Sequence, residues 1–244
     1  MTAENNFKKR NEKFITMMGK DSSLKKLTHT WFSKNSKYEY SYHFSWLGRP
    51  IIQFPQDIIA VQEIIWKVKP DLIIETGIAR GGSLIFYASM LELIGKGKVV
   101  GVDIDIKKHN KKEIEKHSMF KRITMIQGSS IDQNISLKIS KIAKKKQKVL
   151  VILDSNHTHN HVLQELELYS PLVSKGSYLI VFDTIIDDMP INFSIKRPWG
   201  KNNNPKTAVK EFLKHNNRFK VDKEIENKLL ITVAPDGYLK CIRD

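Results

Sequence analysis

Three histidines at alternate positions, His157, His159 and His161, follow Asp154 in the stretch LDSNHTHNH. A carboxylate beside imidazoles can hold a metal ion, or orient a histidine that takes up a proton near neutral pH. In a helix that began early, His157 and His161 would stand at i and i+4 on one face, the spacing of a zinc pair. The stretch reads H-T-H-N-H, and no Glu follows His157 in H-E-x-x-H fashion, which argues against zinc. His159 falls off the shared face and is expected to meet solvent, and His161 to pack or cap at a helix start. Thiolate clusters are excluded, because Cys241 is the only cysteine.

A second constellation is I-E-T-G-I-A-R-G-G-S at 74–83. Gly77, Gly81 and Gly82 lead from a strand into a helix, where glycine permits positive φ and close approach of a ligand to the backbone. The pattern is G-x-x-x-G-G, not the dinucleotide G-x-G-x-x-G, so it suits a nucleoside cofactor without a pyrophosphate, such as S-adenosylmethionine. Glu75, Thr76 and Ser83 flank that loop. Asp103, ending the next strand, is placed to accept hydrogen bonds from ribose hydroxyls. Q-G-S-S at 127–130, at the end of the third strand, is expected to place Gln127 to Ser130, Ser129 among them, near the adenine.

These residues need a scaffold that gathers them, and the apolar patterning supplies one. Ile58, Val61, Ile65 and Val68 share a helical face, and Pro70 stops it. Continuous apolar runs at 71–77, 98–104, 122–128, 148–154 and 177–183 read as strands buried on both faces of a parallel sheet. Helical stretches at 81–94, 107–117, 133–146 and 160–173 separate them, which predicts a doubly wound, Rossmann-like α/β sheet. A helix over 205–215 and closing strands near 218–222, 228–233 and 238–242 complete the pattern. Glu75, Asp103, Asp154 and Asp183 all fall at carboxyl ends of strands, the edge at which open α/β sheets bind ligands. Burial explains the apolar runs but not four acids at their ends.

The chain divides into an aromatic-rich N-terminal extension or cap, 1–56, and a main domain, 57–244. Residues 1–20 are polar and read as helical or frayed, and 28–56 as an irregular segment packed on the main domain. With 41 Lys and Arg against 26 Asp and Glu, the net charge is +15. Such a balance raises nucleic acid, an anionic surface or a phosphorylated substrate as partners. The lysines are scattered and not interleaved with aromatics, so nucleic acid is not expected. Neither a signal-peptide core nor a membrane span is seen, and a cytoplasmic protein is the expectation.

Taken together, E-x-G-x-x-x-G-G-S at 75–83, V-G-V-D-I-D at 101–106, L-D-S-x-H at 153–157 and G-x-Y-L-I-V-x-D-T at 176–184 resemble the cephalosporin hydroxylase family. L-G-R-P and Q-F-P-Q-D within 47–57 extend the resemblance, which spans roughly 45 to 190. It implies an S-adenosylmethionine-dependent methyltransferase fold and, as in its sugar (rhamnosyl-type) O-methyltransferases, a hydroxyl acceptor with Mg2+ or another divalent ion such as Mn2+. More distantly, the site is similar to that of catechol-type metal-dependent O-methyltransferases. That likeness implies metal ligands at Asp154, Asp183 and Thr184, and a base at His157. Where the family pattern often has Glu before the second Asp, this chain has Phe182, and Thr184, Asp187 or Asp188 are the candidates to replace it.

The function that follows is O-methylation of a sugar hydroxyl, on a surface polysaccharide, a nucleotide-sugar precursor or a natural-product glycoside. Asp154 and His157 are the catalytic pair, with Asp154 also beside the cofactor. His43, Trp46, Arg49 and Gln53 are candidates to shape the acceptor pocket. The long segment 187–204 is expected to hang over the site, with Arg197 and Lys201 available to an anionic substrate group. The alternatives are an RNA methyltransferase, or a non-catalytic member that binds S-adenosylmethionine. A homo-oligomer is expected.

Overall fold

A computed structural model describes residues 2–194 and 196–244. Helices α1 (Ala3–Lys20) and α2 (Ser22–Asn35) precede a short hairpin, β1 (Phe44–Trp46) and β2 (Arg49–Ile51), and then α3 (Pro55–Val68). Pro55 opens α3 with its φ already set, and Lys69 in the left-handed region ends it just before Pro70. The regular β-α alternation follows: β3 (Leu72–Thr76), α4 (Gly82–Ile94), β4 (Lys98–Asp103), α5 (Lys108–Lys116), β5 (Ile123–Gln127) and α6 (Gln133–Ala143). Next come β6 (Val149–Leu153), α7 (His159–Tyr169), β7 (Tyr178–Val181), α8 (Pro205–His215), β8 (Phe219–Val221), α9 (Lys223–Leu229) and β9 (Tyr238–Cys241).

The main sheet has the order β5-β4-β3-β6-β7-β9-β8, with the first five strands parallel and β9 antiparallel to both its neighbours. Strand alternation divides the core between two faces. Ile73, Leu150, Ile152 and Ile180 join the cluster that includes α3 and α4, while Leu72, Ile74, Val151 and Leu179 join that of α6, α7 and α8. Each such side chain stabilises the fold by about 2 kcal/mol, so a polar residue at these positions would be costly. The order reverses between β3 and β6, which makes their carboxyl ends the switch point where a crevice opens.

Two expectations are corrected. The segment 228–233 is not a strand: α9 runs to Leu229, and Leu230 at φ 57° turns the chain. Thr232 and Val233 instead give a hydroxyl and an amide to the buried carboxylate of Asp57 on α3, and β9 takes the place beside β7. Residues 28–56 are not irregular throughout, since α2 extends to Asn35 and the hairpin covers 44–51. Phe32, Ile51 and Phe54 of this aromatic segment enter the same core as α3 and α4. Among the described residues no helix is long and apolar enough to cross a membrane.

Candidate active site

Strands β6 and β7 end side by side, and the residues that follow them meet. Asp154 is fixed by its backbone amide on the Thr76 carbonyl (2.9 Å), and its Oδ2 accepts from Gln53 Nε2 (3.0 Å). After β7, Phe182 turns into the core and Asp183 adopts a left-handed φ of 56°, which Asp tolerates better than most residues. That turn brings Asp183 Oδ2 within 3.2 Å of His157 Nε2. The His157 ring meets Trp199 edge to face, with centroids 4.8 Å apart. One ligand atom each of Asp154, His157 and Asp183 lies within 4.8 Å of the others, a group that could hold a metal ion.

The electrostatics of this point are unbalanced. Burial raises the Asp154 carboxyl well above its ordinary range, and the charges of Asp183, Glu75, Glu165 and Asp57 raise it further. Carboxylates so close together resist ionising simultaneously unless a cation joins them. Two hard oxygen donors and one imidazole are a donor set for a divalent ion.

The other candidate ligands are occupied elsewhere. Thr184 is buried and its hydroxyl donates to the Pro235 carbonyl (2.6 Å), so the expected role as a metal ligand is withdrawn. Asp187 accepts from Asn202 N, Asn204 Nδ2 and Lys210, and Asp188 pairs with Lys206 at 2.6 Å. His161 Nε2 lies 3.0 Å from Ser130 Oγ and 3.5 Å from the buried Glu165. Because α7 begins at His159, His157 precedes the helix and no i, i+4 histidine pair forms. His159 is not solvent-facing as expected: its Nδ1 bonds Thr207 Oγ1 (2.8 Å) and its Nε2 lies 3.2 Å from Glu211, which ties α7 to α8.

On the other side of Asp154, the glycine loop forms a small cavity of about 40 Å³ lined by Gly77, Gly81, Gly82, Ser83, Gln53 and Asp154 among others. Beneath it, buried Glu75 accepts from Ser83 Oγ (2.8 Å) and Tyr87 OH (2.9 Å), and burial pushes its carboxyl up to about 8. Thr76, fully buried, serves the Asp154 backbone. Asp103 Oδ2 accepts from the amides of Ile78 (2.8 Å) and Ala79 (3.2 Å), so this acid shapes the loop. Its other oxygen accepts from Asp105 N (3.0 Å). Ser129 sits half-buried in the turn after β5, its carbonyl accepting from Asp132 N.

The acceptor-side candidates separate. A larger cleft of about 560 Å³ is lined by His157, Asp183, Arg197, Trp199, Tyr40 and Phe54, among others. Arg197 is thus brought to the site, its guanidinium 5.3 Å from the Trp199 ring centroid. Trp46 is not: it packs on Phe86 and donates to Ser89 Oγ (3.0 Å). Arg49 donates to the Arg80 carbonyl (2.6 Å) and braces the glycine loop instead of lining the acceptor cleft. His43 is exposed, edge-on to Tyr40 outside the cleft lining, and Lys201 lines a separate cavity with His29 and Lys34. Tyr40, Tyr42 and Phe54 were missed as individual lining residues; only the aromatic density of 28–56 hinted at them.

Comparison with known proteins places the chain in a family and agrees with its fold. Residues 38–242 match the model of a family described as Rhamnosyl O-methyltransferase/CmcI. The rhamnosyl O-methyltransferase of Mycobacterium tuberculosis is 31% identical over 214 residues, covering 86% of this chain and 82% of that protein. Its counterpart in Mycobacterium leprae is 30% identical over 165 residues, covering 67% and 69%. A solved structure of CmcI with Mg and SAM shares the fold, with a TM-score of 0.58, 18% identity, and coverage of 83% of this chain and 78% of that one.

Proposed function

The chain belongs to the rhamnosyl O-methyltransferase/CmcI family of S-adenosylmethionine-dependent O-methyltransferases, and from that premise we propose that it methylates a sugar hydroxyl with the help of a divalent ion. The observation that carries this reading is where the acid-imidazole cluster lies. Asp154 lines the glycine-loop cavity, whereas His157 and Asp183 line the aromatic cleft, so the cluster joins the two. A methyl donor on one side and an acceptor on the other would meet at these side chains.

S-adenosylmethionine is assigned to the glycine-loop side, with Glu75, Thr76, Gly77, Gly81, Gly82, Ser83, Asp103, Ser129 and Asp154 around it. Exposed Ala79 and Arg80 are among the residues lining this cavity, which must widen to admit the cofactor. The acceptor, a nucleotide sugar or glycoside, lies against Trp199, Tyr40 and Arg197; an aromatic face suits the apolar face of a sugar ring. Asp154 and Asp183 would hold Mg2+ or a similar ion, which when bound lowers the pKa of a coordinated hydroxyl and stabilises its alkoxide. Holding oxygen, methyl and sulfur in line supplies much of the remaining acceleration. Two roles are available to the His157 imidazole, proton acceptor and metal ligand, and the first requires Nε2 to turn from Asp183 into the cleft.

Asp183→Asn tests the reading, because Asn keeps the shape and tolerates the left-handed backbone while removing the charge. Calorimetric binding of S-adenosylmethionine should survive, and kcat on sugar acceptors should fall about a hundredfold or more. Unchanged turnover would sink the metal-assisted mechanism, and a wild-type protein that binds no S-adenosylmethionine would sink the assignment altogether.

A further inference from the structure

The geometry points to His157 as a ligand of the ion, making this a mixed nitrogen-oxygen site that selects a first-row transition dication such as Mn2+ over Mg2+. The inference rests on the proposal that the cluster holds a divalent ion, and it follows from counting donors. The strand-β7 end offers a single carboxylate, because Phe182 is in the core at 2% exposure and Thr184 spends its hydroxyl on Pro235. Asp187 and Asp188 are held by Asn202, Asn204, Lys210 and Lys206. The strand-β6 end offers Asp154, and His161 is turned away to Ser130 and Glu165. Among the described His, Cys, Asp and Glu residues, the third side chain whose donor atom falls within 4.8 Å of both acids is the imidazole of His157.

Gln53 supplies an independent observation. It is 94% buried, its Nε2 donates to Asp154 Oδ2, and its Oε1 has no hydrogen-bond partner although it lines the same cavity as Asp154. A buried amide oxygen without a partner is costly unless a cation or donor faces it. Gln53 therefore fixes one oxygen of Asp154, leaving the other for the ion, and carries beside it an amide oxygen that no protein group satisfies.

Donor chemistry then sets the preference. Mg2+ takes oxygen ligands and keeps its waters, whereas imidazole suits the later first-row ions. With nitrogen in the coordination sphere, affinity follows the Irving–Williams order, Mn2+ being the weakest of the first-row ions that benefit.

The experiment uses the full chain stripped with chelator and titrated with Mn2+ or Mg2+ alone, with pulsed electron paramagnetic resonance of the Mn2+-loaded protein. We expect imidazole 14N coupling in the wild type. His157→Ala, checked for folding by circular dichroism, should lose that coupling and bind Mn2+ about tenfold more weakly or worse. His157→Asp should also lose it while narrowing the preference for Mn2+ over Mg2+. Absent 14N coupling in the wild type, or coupling that persists in His157→Ala, overturns the inference. Should S-adenosylmethionine bind normally while 14N coupling is missing, only the ligand role of His157 falls; loss of S-adenosylmethionine binding in the wild type would defeat the functional assignment instead.

Discussion

The two sides of Asp154 are built differently. On the glycine-loop side, protein groups satisfy one another: Glu75 takes the hydroxyls of Ser83 and Tyr87, and Asp103 takes the amides of Ile78 and Ala79. Even the glycines are demanded by the chain itself. A Cβ on Gly77 would lie 2.0 Å from the Asp154 carbonyl oxygen, and one on Gly82 would lie 2.2 Å from that of Pro50. On the cleft side, Asp154 and Asp183 gather with no Lys or Arg between them, only the His157 imidazole, at a cleft that an exposed arginine and a half-buried tryptophan also line. The contrast teaches that a motif can owe its residues to packing even at a binding site, whereas uncompensated charge at a cavity junction points to a ligand.

The largest effect that would test this contrast is Gly77→Ala. Gly77 has φ 91° and no room for a methyl, so strain and overpacking together should cost about 4 kcal/mol. The same change at Gly48, with φ 83° and nothing within 4 Å of its added Cβ, should cost about 1 kcal/mol, the backbone term alone. Thermal or denaturant unfolding of both variants reads the difference. Equal losses would break the claim that the loop is packing-limited.

A smaller effect concerns the acid under the loop. Burial is the main cause raising Glu75 to about 8 and Asp57 to about 6. The native state therefore holds protons that the unfolded chain has released, and stability from this source falls as pH rises. For Glu75 it is fully present below about pH 4.5, the ordinary carboxyl value, and is lost as pH climbs through about 8. Glu75→Gln stays neutral throughout, so its stability advantage over wild type should grow across that window to a few kcal/mol and then level off. Melting temperatures measured from acid to mildly alkaline pH check this, and a pH-independent gap would show that burial does not control Glu75.

Which of these features could be seen in the sequence follows from the range of the interactions involved. The five parallel strands were legible because burial on both faces leaves continuous apolar runs, and each observed strand falls inside its expected run. Helix α8 was legible to the residue, 205–215, because Asn204 caps it and Pro205 opens it. The segment 228–233 forms no strand because the Thr232 hydroxyl and the Val233 amide answer to Asp57, far away in sequence, and nothing local reveals that partner. At the site, strand-end position was enough to single out Asp154 and Asp183, and loop position to add His157. The destinations of Trp46, Arg49 and Thr184 depend on Ser89, Arg80 and Pro235, contacts that only the folded chain creates.

The smallest effect sharpens the cleft side. Arg197 is exposed and touches Trp199 through a cation-π contact, which is worth about 0.5–1 kcal/mol at such a site. Arg197→Ala should therefore leave unfolding stability within about 0.5 kcal/mol of wild type, since exposed substitutions seldom exceed that. Its effect should appear in substrate binding. A guanidinium at the rim meets an anionic group in the ground state and the transition state alike, so its loss raises KM while kcat holds. With a nucleotide-sugar acceptor the expected rise in KM is about tenfold, the weight of a charge-assisted contact worth about 1.5 kcal/mol. With a neutral glycoside of the same sugar the two proteins should behave alike. A fall in kcat with either acceptor would place Arg197 at the reacting atoms, and unchanged KM with both would remove Arg197 from acceptor binding.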